Sequence, residues 1–261
     1  TVLRGADRED LPEGGPALIP AEHPCLSAQA HFRYGRIHLP VAPRCNIRCG
    51  YCDRRYDCAN ESRPGVTSEV ISPEAALDRV ERALRLDSRL RVAGANPATL
   101  ETLRLIHARF PRLLLCLSTN GLVLSDALPE LLDCGVSTLT VTVNTRSVVC
   151  AGHVYRAVGG SADAGAMAAF LSAQQEGVAK AAEAGLTVKI NTVVIPGFNT
   201  GEIEEIACWA ARAGAAVMNL MPLIPQAGFR DNEPPSRALL EALRARARVH
   251  IPQFTHCRQC R

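Results

Sequence analysis

Cys45-Asn46-Ile47-Arg48-Cys49-Gly50-Tyr51-Cys52 sets three thiols within eight residues, in the pattern C-x3-C-x2-C. Read as a loop, the stretch has the curvature to wrap three thiolates around one face of a cuboidal cluster. Thiolates are soft donors that suit iron–sulfur clusters and zinc. A structural zinc site wants four protein ligands, so a zinc knuckle here would have to borrow a distant fourth. A [4Fe–4S] cluster held by three would keep one iron open.

The chain has 261 residues and eleven cysteines. A disulfide framework suits small secreted chains with poor cores. This chain is long enough for one sizeable core, and Thr1 to Asp10 is charged, without the apolar centre of a signal peptide. Metal binding in a reducing, cytoplasmic compartment fits the cysteines better. Hydrophobic residues make up 47% and charged ones 21%, as in ordinary globular proteins. A net charge of +3 is too small to argue for nucleic acid or membrane partners, and no apolar run reaches transmembrane length. With Thr1 in place of a Met, leading residues are expected to be missing.

Outward from the motif, a strand-then-helix rhythm repeats. The spacing predicts strands over 36–42, 89–94, 113–119, 138–144, 186–194 and 215–221. Helices are predicted over 73–86, 97–109, 125–134, 165–184, 200–213 and 236–249, with Ser72 as an N-cap before Pro73. Alternation of this kind means a parallel sheet with right-handed crossovers. Several strands carry one polar face: Cys116, Ser118 and Asn120; Thr138, Thr140, Thr142 and Asn144; Lys189 and Asn191; Asn219 and Met221. A doubly wound sheet would bury both faces under apolar helices. The polar face instead predicts a partial (β/α)6 barrel with a ligand-holding lumen, the strand ends Gly94, Asn120, Asn144, Asn191 and Met221 ringing its mouth. Three regions follow: an irregular N-terminal segment over 1–35, broken by Pro12, Pro16, Pro20 and Pro24; the barrel over 36–250; and a cysteine-bearing C-terminal tail over 251–261. The stretch 145–168, rich in Gly, Ala and Ser, reads as a flexible loop.

In such a barrel S-adenosylmethionine (SAM) can chelate the open iron through its amino and carboxylate groups. Electron transfer from the cluster then cleaves the sulfonium to a 5′-deoxyadenosyl radical. Tyr51 and Met221 can lie against adenine or pack in the core. Thr119, Asn120, Asn144, Asn191 and Thr192 can bind the ribose and carboxylate of SAM or close strand ends by hydrogen bonding.

Longer blocks sharpen this. Glu22-His23-Pro24-Cys25, the cysteine motif, and Tyr56-Asp57-Cys58-Ala59-Asn60-Glu61-Ser62-Arg63-Pro64-Gly65-Val66 together resemble the NifB family of radical SAM nitrogenase-cofactor maturases. The resemblance continues through Ser118-Thr119-Asn120-Gly121, Lys189 to Gly197 and Met218 to Pro225, and ends with His256-Cys257-Arg258-Gln259-Cys260-Arg261. It implies two further [4Fe–4S] clusters as substrate, fused with a SAM-derived carbide and a sulfide into an eight-iron precursor of the cofactor. One SAM gives a methyl group to a cluster sulfide, and a second gives the radical that abstracts hydrogen from it. Beside Cys45, Cys49 and Cys52, the remaining ligand candidates are His23, Cys25, Cys58, Cys116, Cys257 and Cys260. A division into His23, Cys25 and Cys58 for one cluster and Cys116, Cys257 and Cys260 for the other is one arrangement among several. Glu61, Ser62 and Arg63 become candidates for the surroundings of the cluster, Glu61 for proton handling and Arg63 beside it. Cys134, Cys150 and Cys208 have no such context and are read as non-ligands. The implied partners are Fe–S assembly proteins that donate clusters, carrier and scaffold proteins that accept the product, and an electron donor that the sequence does not name.

Two features depart from the pattern. A Gly-rich segment with an acidic residue should follow strand 89–94, but Ala93-Gly94-Ala95-Asn96-Pro97 runs straight into a helix. Either that loop lies outside this sequence or SAM binding is altered. Some family members carry a carrier-like domain after the barrel; a chain ending at Arg261 is expected to be a standalone form or a truncation. Two other readings stay open: a radical SAM enzyme with auxiliary clusters that modifies a peptide or small molecule, and a non-catalytic Fe–S carrier.

Overall fold

Six strands pair side by side and all in parallel in the computed structural model, which describes residues 23–41, 45–53, 55, 70–95 and 100–256. They are β1 (Gly35–Leu39), β3 (Leu90–Ala95), β4 (Leu114–Thr119), β5 (Val136–Thr142), β7 (Thr187–Val194) and β8 (Val217–Pro222), in that spatial order. The order never reverses, so the sheet has no switch point of the doubly wound kind. Each crossover moves the chain the same way, and the sheet curls into a partial barrel.

The crossover helices are α2 (Pro73–Leu86), α3 (Leu100–Arg109), α4 (Leu124–Asp133), α6 (Ala164–Glu183) and α7 (Ile203–Arg212), and α8 (Arg237–Arg248) follows β8. Ser72 caps α2 by accepting from the Ala75 amide at 3.2 Å, with Pro73 at the first position. Leu115 and Leu117, Leu139 and Val141, Val188 and Ile190, and Met218 and Leu220 point outward from their strands. They pack under Val80, Leu103, Ile106, Leu131, Val178, Ile206 and Leu243 of the helices, forming the main core. The opposite side chains face the lumen. Register sets Cys116 beside Thr138, Thr140 beside Lys189, and Asn191 beside Asn219.

The cysteine motif is not all loop. Ile47–Cys49 forms β2, antiparallel to β6 (Tyr155–Val158). The 145–168 stretch is likewise not a flexible loop. It holds α5 (Val148–Val154), capped by Ser147, then β6, then the start of α6 capped by Asp163. The physical reason is burial: Cys150, Ala151 and Val154 follow helical spacing, and Tyr155 and Val158 face inward beside Ile47 in a second apolar cluster. In the N-terminal segment, α1 (Ala28–His31) is one short turn of helix, and Leu26 packs on Val217 and Phe254. Among the described residues no helix is long and apolar enough to cross a membrane.

Candidate metal centre

The second apolar cluster is the floor under the cysteine motif. Ile47 and Tyr51 of the motif are buried in it with Tyr155, Phe170, Val193, Met221 and Phe229. Met221 is therefore packed beneath the motif at the end of β8. The residues after β8 clamp the motif from the other side. Gln226 donates from its side chain to the Tyr51 carbonyl at 3.0 Å, and the Gly228 amide donates to the Gly50 carbonyl at 2.9 Å. Gly50 itself donates to the Val154 carbonyl at 2.7 Å. A Cβ at Gly50 would sit 2.6 Å from the Phe229 ring, so a glycine is what this close approach requires. The clamp turn bends tightly, with Ala227 at φ +49°. Nothing in the sequence pattern pointed to this turn.

This scaffold presents the three thiols of the motif at different depths. Cys45 is exposed, and Cys49 and Cys52 are half-buried. Arg48, Cys49, Gly50, Cys52, Asp53, Arg156 and Ala227 line a cavity of about 290 Å³. Two guanidiniums thus share a cavity with two thiols. The Arg55 guanidinium, bonded to Asp53, holds that carboxyl down at about 2, so the one acid among the described lining residues is already engaged. Soft donors with positive charge around them fit a thiolate-bound iron–sulfur cluster, which carries negative charge on its sulfides and ligands. Cys45, Cys49 and Cys52 are the residues that would hold it. Among the described residues no three of His, Cys, Asp and Glu converge closely enough to chelate a single metal ion.

Hydrogen bonds tie the strand ends to this motif. The Asn120 amide nitrogen donates to Asn46 Oδ1 at 2.6 Å and lies 3.7 Å from Cys45 Sγ. Thr119 Oγ1 accepts from the Gly121 amide at 3.1 Å, closing a turn in which Gly121 takes φ +86°, a conformation open to glycine. Gln174 of α6, buried, donates to the carbonyls of Asn120 and Thr142 at 2.6 and 2.7 Å. Asn144 donates to the Tyr51 and Tyr155 hydroxyls at 2.7 and 3.2 Å and accepts from the Val193 amide. Burial and the neighbouring Cys49 push both phenols well above their ordinary range. Thr192 donates to the Val143 carbonyl at 2.6 Å, and Asn191 accepts from Asn219 at 3.3 Å. Asn144, Thr192 and Asn191 are all buried, and the sequence did not single out Gln174 or Asn199, which donates to the Asn144 and Val193 carbonyls.

A second set of the candidate ligands lies deeper. His23 is fully buried: its Nδ1 accepts from the Cys25 amide at 3.2 Å, and its Nε2 lies 3.2 Å from Thr138 Oγ1. Burial, with the charges of Lys189 and Arg36, lowers its pKa to about 3, and a neutral imidazole is the form that ligates metals. Thr138 is the strand partner of Cys116, so His23 and Cys116 are near neighbours. Cys25 is buried with Arg36 Nη1 3.6 Å from its sulfur. At ~3.3 Å per residue, Cys116 lies ~13 Å down β4 from Asn120 and the motif. Cys58, Glu61, Arg63, Cys257 and Cys260 lie outside the described residues, as does most of the segment after Ala95 where the Gly-rich loop was expected. Cys134 and Cys150 are buried, and Cys208 is half-buried on α7.

Against known proteins, residues 39–210 match the model of the radical SAM superfamily. The chain is 42% identical over 260 residues to the FeMo cofactor biosynthesis protein NifB of Klebsiella pneumoniae, covering 92% of this chain and 56% of that protein. It is 38% identical over 259 residues to the protein of the same name from Methanocaldococcus infernus, covering 92% and 83% respectively. The chain thus spans between about half and four-fifths of these relatives' lengths. In fold it is similar to the FeFe-hydrogenase maturase HydG of Carboxydothermus hydrogenoformans, with a TM-score of 0.55 at 16% identity over 84% of this chain and 52% of that one.

Proposed function

The chain belongs to the radical SAM superfamily and, within it, to the NifB family, and from that membership we propose that it is a maturase fusing two [4Fe–4S] clusters with a SAM-derived carbide and a sulfide into an eight-iron precursor of the nitrogenase cofactor. The observation that supports this most is the pairing of two soft-ligand sets at different depths of one barrel: Cys45, Cys49 and Cys52 at the mouth, His23 and Cys116 inside. An enzyme with a single SAM cluster needs only the first.

A [4Fe–4S] cluster held by Cys45, Cys49 and Cys52 would supply the electron for SAM cleavage. The chain's own residues do the rest by holding and excluding. Asn120 and the Gln226–Phe229 turn fix the motif against the strand ends. Arg48 and Arg156 bring positive charge to the cavity. The packed ring of Tyr51, Tyr155, Phe170 and Phe229 keeps water from the floor beneath the motif. Asn120, Thr119, Asn144, Asn191, Thr192, Tyr51 and Met221 remain the proposed SAM neighbours, acting directly or by shaping the strand ends. Glu61 is proposed to handle protons during dehydrogenation of the methyl group, with Arg63 beside it. His23, Cys25, Cys58, Cys116, Cys257 and Cys260 are the proposed ligands of the substrate clusters. Cluster-donating assembly proteins and product-accepting carriers are the proposed partners, in the cytoplasm.

The test is anaerobic. The protein is reconstituted with iron and sulfide, reduced and given SAM, and S-adenosylhomocysteine and 5′-deoxyadenosine are quantified. Both products are expected. 5′-Deoxyadenosine alone points to another radical SAM reaction, and neither product despite bound iron points to a cluster carrier.

A further inference from the structure

Lys189 sits in the third position of β7, its register neighbours Thr140 and Val217. The residue is 3% exposed. No carboxylate among the described residues pairs with it. Its ammonium lies instead 4.1 Å from the centre of the Phe254 ring. Thr140 and Thr138 on the next strand are neutral, and Arg36, the other cation of this neighbourhood, adds to the positive charge rather than offsetting it. Among the described residues, then, Lys189 has no anionic partner, and its charge and that of Arg36 both bear on His23.

A buried ammonium without a counter-ion is among the costlier things a core can hold, and a ring face recovers only part of the loss. A purely structural role would be better filled by Met or Leu, which would pack on Phe254 without the desolvation. The charge makes physical sense if an anion enters the interior. The neighbouring side chains specify which anion. His23, Cys25 and Cys116 are soft ligands, suited to iron held among sulfides and thiolates. The sulfides of such a cluster accept hydrogen bonds, which an ammonium with three N–H donors can supply.

We propose that Lys189 is the positioning cation for the iron–sulfur substrate inside the barrel, neutralising it and donating to its sulfides on the side of His23, Cys25 and Cys116. This rests on the cluster-fusing reading given above. Lys189 ligates no iron; it sets the affinity of the interior for an anionic cluster, and it leaves the cluster at Cys45, Cys49 and Cys52 untouched.

The test uses the full chain with Cys45, Cys49 and Cys52 all changed to Ala, so that bound iron reports the interior alone. Ferrous iron and sulfide are titrated in anaerobically, and iron per chain and the electron paramagnetic resonance signal are followed. The Lys189→Met change is expected to weaken loading at least roughly tenfold, with Lys189→Arg retaining most of it. The metal-free Lys189→Met protein is expected to melt above its parent, because a lone buried charge has gone. Lys189→Gln serves as a second neutral variant should the Met form not fold. Equal loading with and without the charge overturns the proposal and leaves the maturase reading intact. A lower melting point for both neutral variants, with loading unchanged, makes Lys189 a packing residue and also overturns it. No interior loading in the Lys189 parent sinks the maturase reading itself, and the proposal with it.

Discussion

The side-chain amide of Asn144 donates to the hydroxyl of Tyr51 at 2.7 Å, joining the end of a central strand to a residue between two cysteines of the motif. The same amide reaches Tyr155, and its oxygen receives the Val193 amide. One side chain thus holds the cysteine motif, β6 and β7 in a fixed relation.

Asn144→Ala removes three partners at once from buried groups. At ~1–3 kcal/mol for a buried polar group left without its partner, and with some relaxation, the metal-free protein should lose about 2–4 kcal/mol. Urea denaturation of the apoprotein measures this. A residue that only contacts SAM would lose SAM affinity with no change in the denaturation midpoint.

Cys45→Ala should abolish SAM cleavage, and Cys208→Ala should leave it intact. Cys45 projects from the motif beside Asn120, whereas Cys208 lies on α7 outside the sheet. Iron content and 5′-deoxyadenosine yield are the readouts. Loss of iron from the Cys208 variant alone would place a ligand where the motif reading puts none.

Cys150 should resist alkylation. Burial pushes its thiol up to about 11, with Glu202 adding to the shift and Thr145 opposing it. The thiolate is the reactive form, so from pH 7 to 9 almost none is present, and modification should accelerate only as pH nears 11. Timed iodoacetamide labelling of the apoprotein with mass spectrometry should show Cys45 modified early and Cys150 late. Rapid labelling of Cys150 at pH 7 would mean that α5 opens readily.

The barrel was legible because its signals are local. Helix 73–86 announced itself by Ser72, Pro73 and its apolar spacing, and the structure has it at Pro73–Leu86. The lumen could be read from alternation, since Thr138, Thr140 and Thr142 on one face mean something different from Leu139 and Val141 on the other. What stayed hidden depends on distant partners. Strand β2 exists only because β6 lies beside it, more than a hundred residues later. The 145–168 stretch looked loose because Gly and Ala dominate it, although Tyr155 and Val158 bury themselves under the motif. Gln174 gave no warning either, and Lys189 showed only as part of a polar strand face, since a lone polar residue in an apolar run acquires meaning from what faces it.

The close approach of Gly50 to Phe229 gives the sharpest test of how the motif is held. A Cβ at position 50 would stand 2.6 Å from the ring and 3.2 Å from the Val154 carbonyl. The ring has little room to retreat, being 5% exposed and packed edge-on against Phe198 at 5.3 Å. Gly50→Ala should therefore cost about 1–3 kcal/mol by overpacking. It should also loosen Cys49 and Cys52, which flank the displaced backbone, and so lower cluster retention. Phe229→Leu takes away the atoms that a new methyl group would meet. Combined with Gly50→Ala, it should cost less than the two single changes together, by about 0.5–3 kcal/mol. Urea denaturation of the four proteins closes the cycle. Strict additivity would mean that the Val154 carbonyl, not the ring, is what demands a glycine between the second and third cysteines.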